Sequence, residues 1–267
     1  MRKLTTILFL LLTTAIFGQQ HGMMTLAGQG GLKSKAVAVW EFGETSGSTL
    51  DDETANALDL TLVNPTSYNG GAPANLENSI RFVSSTSNPA AYHVDDALFS
   101  IGGGKAFSFS IWVDFTYTGI GVSMLGSKVD RDLANEWMMY VYGTTGAIEF
   151  QIYEEGSTST NIKYISDASV ISTNAGWQHI VVTYDGLGQT DSGGIYVDGV
   201  DVYASTDGTA ITGASDTGAQ FRIGTLDDGF FDPNAYISQS AFFEGVLTQY
   251  EILQLYNSGS GLTYNNW

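Results

Sequence analysis

The chain has 267 residues, of which 43% are hydrophobic, with 32 glycines and only 4 prolines. This composition is typical of one all-β domain with many short strands joined by tight turns. A formal net charge of −18 argues against nucleic acid and anionic membrane surfaces as partners, and leaves cations and neutral ligands. The absence of cysteine excludes disulfides, thiol chemistry and zinc-thiolate sites.

The first 18 residues have the pattern of a secretion signal. Arg2 and Lys3 precede the apolar run from Ile7 to Leu12, and small residues follow up to Gly18. We therefore expect a secreted protein, located outside the cell or at the cell surface. No later segment approaches the length needed for membrane insertion. Residues 19–35 are rich in glycine and have no apolar period, which predicts a flexible N-terminal arm.

Short strands are predicted from residue 36 onward, beginning with 36–42 and 58–63. The clearest lies over 106–115, where phenylalanine, isoleucine and valine alternate with serine and aspartate. Gly143 to Gly146 separates two further strands and indicates a hairpin. Asp198-Gly199 is the strongest turn signal, because this pair tolerates the positive φ of a two-residue hairpin turn.

One short helix is predicted near the end of the chain. Thr248 can cap it, Glu251 can reach back to complete a capping box, and Leu247 can pack on Ile252. We expect the helix to end near Asn257. The tail, residues 258–267, is polar and is predicted to be loose except where Tyr264 or Trp267 finds a crevice.

Residues 177–200 contain a longer pattern. The stretch WQHIVVTYDG over 177–186, followed by IYVDGV over 195–200, resembles the signature of LamG-like domains of the laminin G/concanavalin A-like lectin and glucanase class. The resemblance covers residues 36–257. It implies a two-sheet antiparallel β-sandwich, or jelly roll, that serves as a carbohydrate-binding or adhesive module in secreted and surface proteins. It also implies a calcium site at one rim.

Candidate metal ligands lie in the loop after the first strand. Asp51, Asp52 and Asn56 occupy the position of the family's Asp-rich stretch and offer oxygens of the kind that Ca²⁺ binds. The alternative is that they stabilise turns by bonding to their own backbone. Where relatives carry Ile-Asp-Glu, this chain has Ile237-Ser238-Gln239, which weakens the expectation of calcium as a cofactor.

Candidate ligand-binding residues are aromatic side chains beside acids. Asp228, Phe230 and Phe231 belong to a loop that places two phenylalanines among turn formers, and Trp137 and Tyr142 lie on hairpin strands. The alternative for each aromatic residue is packing in the core.

No catalytic constellation is evident. Glycoside hydrolases of this scaffold need two carboxylates, and the nearest strand offers Glu149 with Gln151, which cannot act as an acid. His179 lies on the signature strand without a catalytic partner in the sequence, which favours a structural role. We therefore expect no enzymatic activity.

Three functions remain open. The first is a secreted binding module for carbohydrate or a glycosylated surface, with calcium as a candidate aid. The second is a structural, adhesive or virion-displayed protein whose partner is another protein. The third is a glycoside hydrolase with an unfamiliar carboxylate pair that includes Glu149. The ligand and the oligomeric state are not determined by the sequence.

Overall fold

The computed structural model describes residues 31–65, 67–68, 70–83, 88–115, 121–130, 134–157, 159–226, 231 and 233–267. The predicted signal peptide and residues 19–30 of the predicted arm lie outside this part of the chain. Residues 31–35 differ from the expectation of a flexible arm: they are helical, and Leu32 is fully buried because it packs beside the C-terminal helix. Within the described residues, no helix is both long and apolar enough to cross a membrane.

The prediction of an all-β sandwich is confirmed. The strands are β1 (Ala36–Trp40), β2 (Thr49–Leu50), β3 (Leu60–Val63), β4 (Ser67–Tyr68), β5 (Ile80–Phe82), β6 (Ala90–His93), β7 (Phe107–Phe115), β8 (Val122–Asp130), β9 (Ala134–Tyr142), β10 (Ile148–Tyr153), β11 (Asn161–Ser166), β12 (Gln178–Tyr184), β13 (Gly193–Val197), β14 (Val200–Asp201), β15 (Tyr203–Gly208), β16 (Phe221–Gly224) and β17 (Ala235–Glu244). The C-terminal helix spans Gln249–Tyr256, and short 3-10 turns follow at Asn257–Gly259 and Tyr264–Asn266.

These strands form two antiparallel sheets. One has eight strands in the order β14-β13-β12-β7-β17-β5-β4, with β1 also paired to β17, and the other has nine in the order β15-β11-β10-β9-β8-β16-β6-β3-β2. Alternation in β7 sends Phe107, Phe109 and Ile111 into one core, where they meet Trp137 and Phe221 of the other sheet.

The two predicted turns form as expected. Asp198 and Gly199 both have positive φ (52° and 77°) and connect β13 to β14. Gly146 (φ 65°) closes the turn between β9 and β10, where its N–H donates to the Tyr142 carbonyl over 2.7 Å. The second turn fixes the register of β9 and β10, which carry the site described below.

The outer face of the eight-stranded sheet, the covered face, lies beneath the C-terminal helix. Thr248 and Glu251 form the predicted capping box, and Ile252 and Leu255 pack on the sheet. Trp267 of the tail stacks on Phe243 at 5.5 Å between ring centroids, so the tail ends in a crevice. This helix and tail remove that face from solvent.

Candidate functional site

The outer face of the nine-stranded sheet, the open face, carries a second set of apolar side chains. Alternation along β9 sends Trp137, Met139 and Val141 to the core and places Met138, Tyr140 and Tyr142 on the opposite side. We call the apolar group on this side the outer-face cluster; its members are Val122, Met124, Val129, Met138, Tyr140, Tyr142, Tyr153, Leu226 and Phe231. Within it, Met138, Tyr142 and Phe231 are only half-buried.

A polar network runs beside this cluster on β9 and β10. The Tyr140 hydroxyl donates to the Glu149 carboxylate, and the Gln151 amide donates to the Tyr140 oxygen over 2.6 Å and also to Glu149. The Tyr153 hydroxyl donates to Gln151 Oε1 over 3.1 Å. Because Glu149, Gln151 and Tyr153 alternate on one strand, they share the open face.

Lys163 on β11 is a cation of this face. Its Nζ lies 3.5 Å from Glu149 Oε1 and 3.9 Å from Asp207 Oδ2, and its side chain is 30% exposed. The cross-strand register Gln151 to Lys163 to Asp207 forms one row. Lys163 is therefore balanced by two carboxylates, and the row carries no excess of positive charge.

Tyr140 remains a hydrogen-bond donor over the whole ordinary pH range. Burial raises the pKa of its phenol far above the usual value, and the hydrogen bond and charge of Glu149 raise it further. Its ring also meets Tyr142 edge to face at 5.4 Å. The network therefore has a fixed donor direction, from Tyr140 to Glu149.

The predicted ligand-binding residues separate into three groups. Tyr142 and Phe231 belong to the outer-face cluster, and the Phe231 carbonyl accepts from the Met124 N–H over 2.8 Å. Trp137 is fully buried in the core, so it corresponds to the packing alternative and cannot contact a ligand. Asp228 and Phe230 lie outside the described residues.

The predicted metal ligands are organised around a turn. Asp52 Oδ1 accepts from the N–H groups of Val39 and Thr54, and Oδ2 accepts from the Thr54 hydroxyl and the Leu58 N–H. A carboxylate has about four acceptor positions, so the hydrogen bonds occupy them all. Asn56 donates its amide to the Val37 carbonyl over 2.8 Å.

These contacts correspond to the turn-stabilising alternative, and Asp52 and Asn56 fit a calcium ion poorly as they stand. Ca²⁺ takes about six to eight oxygen ligands, and Asp52 has none free. Asp51 is exposed, and only its backbone N–H is bonded, to Glu44. Calcium binding by Asp51, Asp52 and Asn56 stays a prediction.

Asp51 lines an acidic cavity of about 290 Å³ at this rim, together with Glu41, Glu44, Glu53 and Glu77. Burial raises the pKa of Glu41 and Glu44, and the charges of neighbouring carboxylates raise it further. Gln239, the departure from the family pattern, donates to Glu41 and to the Leu262 carbonyl. The glutamine thus ties the rim to the tail of the chain.

No carboxylate pair for hydrolysis appears on the described part of the open face at β10, because Gln151 occupies the alternate position to Glu149. The described residues also contain no group of three or more His, Asp or Glu side chains that could hold a metal ion. His179 is fully buried on the covered face and its Nε2 lies 2.8 Å from the Ser110 hydroxyl. Burial lowers the pKa of His179 to about 3, so this imidazole is neutral and structural.

Met138, Tyr140, Tyr153 and Lys163 were not among the predicted ligand-binding residues. A signal was present, because residues 138, 140 and 142 share one parity, as do 149, 151 and 153. Both parities of β9 are apolar or aromatic, however, so the pattern did not reveal which one faces the core.

Comparison with known proteins identifies the architecture. The model of the concanavalin A-like lectin/glucanases superfamily matches residues 84–253. No curated protein matches the chain.

Several solved structures share the fold. The binding domain of Paraclostridial Mosquitocidal Protein 1 has a TM-score of 0.62 at 15% identity, covering 85% of this chain and 53% of that one. The binding domain of botulinum neurotoxin DC in complex with rat synaptotagmin II has a TM-score of 0.62 at 14% identity, covering 88% and 53%. The same toxin domain in complex with SialylT has a TM-score of 0.60 at 14% identity, covering 84% and 51%. The chain thus spans about half the length of these structures.

Proposed function

Because the chain belongs to the concanavalin A-like lectin/glucanases superfamily, we propose that it is a non-catalytic binding module that recognises carbohydrate or a glycosylated surface through the open face. The observation that carries this proposal is the arrangement of that face. Half-exposed Met138, Tyr142 and Phe231 lie beside a row of hydrogen-bonding groups on β10 and β11.

This combination suits a sugar ring. A pyranose offers apolar C–H faces that pack on aromatic and thioether side chains, and hydroxyls that exchange hydrogen bonds with polar groups. Tyr142 and Phe231 supply aromatic surface, while Lys163 and Asp207 supply an accessible donor and acceptor. Tyr140, Glu149 and Gln151 lie deeper and hold the strands in register.

Two further features support binding without catalysis. Gln151 stands where a second carboxylate would be needed beside Glu149, so the hydrolase alternative has no pair on this strand. Two of the similar structures are toxin binding domains, one in complex with SialylT and one with synaptotagmin II. SialylT and synaptotagmin II are ligands of the toxin domains. They support the proposal that this fold can be used to recognise a glycan or a glycoprotein.

The setting and the cofactor are also proposals. Export is inferred from the pattern of residues 1–18, and an extracellular or surface location follows from it. Calcium assistance would have to draw on the acidic rim around Asp51, since Asp52 is occupied by hydrogen bonds.

The test is glycan binding by the whole chain, first on an array and then by calorimetry on the best oligosaccharide. Tyr142→Ala and Phe231→Ala should each weaken binding roughly tenfold or more, since loss of an aromatic anchor commonly costs about 1–2 kcal/mol or above. Tyr250→Ala, a partly exposed tyrosine of the C-terminal helix, is the matched control and should bind normally.

Binding that is unchanged in both site variants would refute the open face as the site. Repeating the titration with a chelator tests calcium: equal affinity with and without it would remove calcium from the proposal.

A protein partner is the second candidate, and one exposed apolar patch favours it. Val200 in the β13–β14 hairpin is 62% exposed, and the adjacent Gly199 lies against Leu253 of the C-terminal helix, which is 47% exposed. This adhesive alternative would be favoured if the protein bound no glycan on the array and formed assemblies that Leu253→Asp abolishes.

A further inference from the structure

Near the end of β8, a buried lysine contacts one buried and one partly exposed carboxylate. Lys128 of β8 has no exposed side-chain surface, and its Nζ contacts Glu136, which is equally buried. The same nitrogen lies 2.8 Å from Asp95 Oδ1 and 2.9 Å from the Thr217 carbonyl. Asp95 is 42% exposed and follows β6, which is separated from β8 by β16.

We propose that Lys128 and Asp95 form an intramolecular amide bond, with Glu136 as the proton carrier. Such a reaction needs an amine, a carboxyl group to be attacked and a second carboxylate to carry protons. Lys128 Nζ is the amine, and it contacts both the Asp95 carboxyl and the Glu136 carboxylate. Because the fold holds the reacting groups in contact, the reaction is intramolecular, and this accelerates a bond formation that is slow between separate molecules.

The reaction balances without any further reagent. The Lys128 ammonium gives one proton to Glu136, and the neutral amine attacks Cγ of Asp95, forming the C–N bond. The nitrogen then loses a second proton. Glu136 passes the first proton to one Asp95 oxygen, takes up the second proton and passes it to the same oxygen. The C–O bond then breaks and water is released. One ammonium and one carboxylate become one amide and one water, and Glu136 ends as it began.

The surroundings of Glu136 suit that role. Its Oε1 also accepts from the Thr217 N–H over 2.8 Å and the Thr217 hydroxyl over 3.0 Å, and its Oε2 accepts from the Ile101 N–H over 3.2 Å. These contacts fix the carboxylate against Nζ. Burial raises the pKa of Glu136 despite the neighbouring lysine, which makes proton uptake by the carboxylate easier.

The amide would remove the charge of the buried Lys128 ammonium, while Glu136 would keep its hydrogen bonds from Thr217 and Ile101. The amide would close a covalent loop between residues 95 and 128 in a chain without cysteine, and would fasten the segment after β6 to β8.

Mass spectrometry of the folded whole chain tests the proposal. The wild-type protein should be lighter than its sequence by the mass of one water molecule. Trypsin should fail to cut after Lys128 and should yield a branched peptide joining residues 82–105 to 106–131. In denaturing gels the closed loop should migrate faster than the open chain.

Asp95→Ala should fold, because this side chain is exposed, and should show the full mass with normal cleavage after Lys128. Glu136→Gln should also show the full mass. Asp96→Ala is the matched control: this neighbouring carboxylate bonds to the Leu98 N–H, so the branched peptide should persist.

A full-mass wild-type protein that is folded would overturn the proposal. So would a water loss that survives in Asp95→Ala, since dehydration at an Asp-Gly pair such as Asp198-Gly199 gives the same mass change without a branched peptide.

Discussion

The two outer faces of this sandwich both carry aromatic side chains, but these differ in their exposure to solvent. On the covered face, Trp112 stacks on His179 at 4.8 Å and on Tyr256 of the C-terminal helix at 5.9 Å, and all water is removed from the indole. On the open face, Tyr142 and Phe231 keep part of their surface in solvent. Aromatic residues on an outer strand face therefore predict binding only where no other element covers them.

The largest expected effect comes from breaking the covered face. Leu255 is fully buried between the C-terminal helix and the sheet, and Leu255→Ala should lower the free energy of unfolding by about 2–5 kcal/mol. Leu253→Ala, on the same helix but 47% exposed, should change it by less than about 0.5 kcal/mol. Urea unfolding of both variants is the measurement, and equal losses would mean that this helix does not seal the face as described.

A second effect depends on pH. Burial lowers the pKa of His179 to about 3, below its usual value near 6.5. Between about pH 3 and 6.5, the unfolded chain therefore binds a proton at His179 that the folded chain does not bind. The contribution of His179 to the free energy of unfolding is lost as the pH falls through this range, by up to about 1.4 kcal/mol per pH unit.

The wild type and His179→Gln should thus converge in stability as the pH is lowered from 7 to 4.5 in urea titrations. Comparing the two proteins cancels the opposite contribution of groups such as Glu136, whose pKa is raised. A stability difference that is constant with pH would contradict this, because it would show that His179 has the same pKa in the folded and unfolded states.

The smallest effect on stability is expected on the open face. Lys163→Met removes a partly exposed ion pair, so the free energy of unfolding should change by less than about 0.5 kcal/mol. Affinity for the glycan found on the array should nevertheless fall about tenfold, the equivalent of one hydrogen bond of about 1.4 kcal/mol. Lys33→Met, near Tyr264 of the tail, is the matched control. Loss of stability without loss of affinity would contradict a binding role for Lys163.

Much of the architecture was predictable because local signals agreed with it. The alternation in β7, the Asp198-Gly199 turn and the Thr248–Glu251 capping box each depend on neighbours within a few residues. The WQHIVVTYDG signature resembled the right family for the same reason: it contains a strand and the turn that follows it.

The site was harder to predict because it depends on contacts distant in the chain. Tyr142 and Phe231 pack against one cluster although they are about ninety residues apart in the chain. Alternation alone did not show that Trp137 belongs to the core. The sequence around Asp52 is typical of a metal-binding loop, but its carboxylate accepts from the Val39 N–H of β1. Only the folded chain distinguishes a turn-building carboxylate from a free one.

The burial of the indoles limits how this protein can be studied by fluorescence. Of the five tryptophans, Trp40, Trp112, Trp137 and Trp267 are buried, and Trp137 has its ring on the opposite side of the sheet from Tyr142. Indole emission should therefore follow unfolding closely and respond little when an oligosaccharide docks. Spectroscopic titrations would need a tyrosine signal, such as the NMR resonances of Tyr142, to detect the bound state.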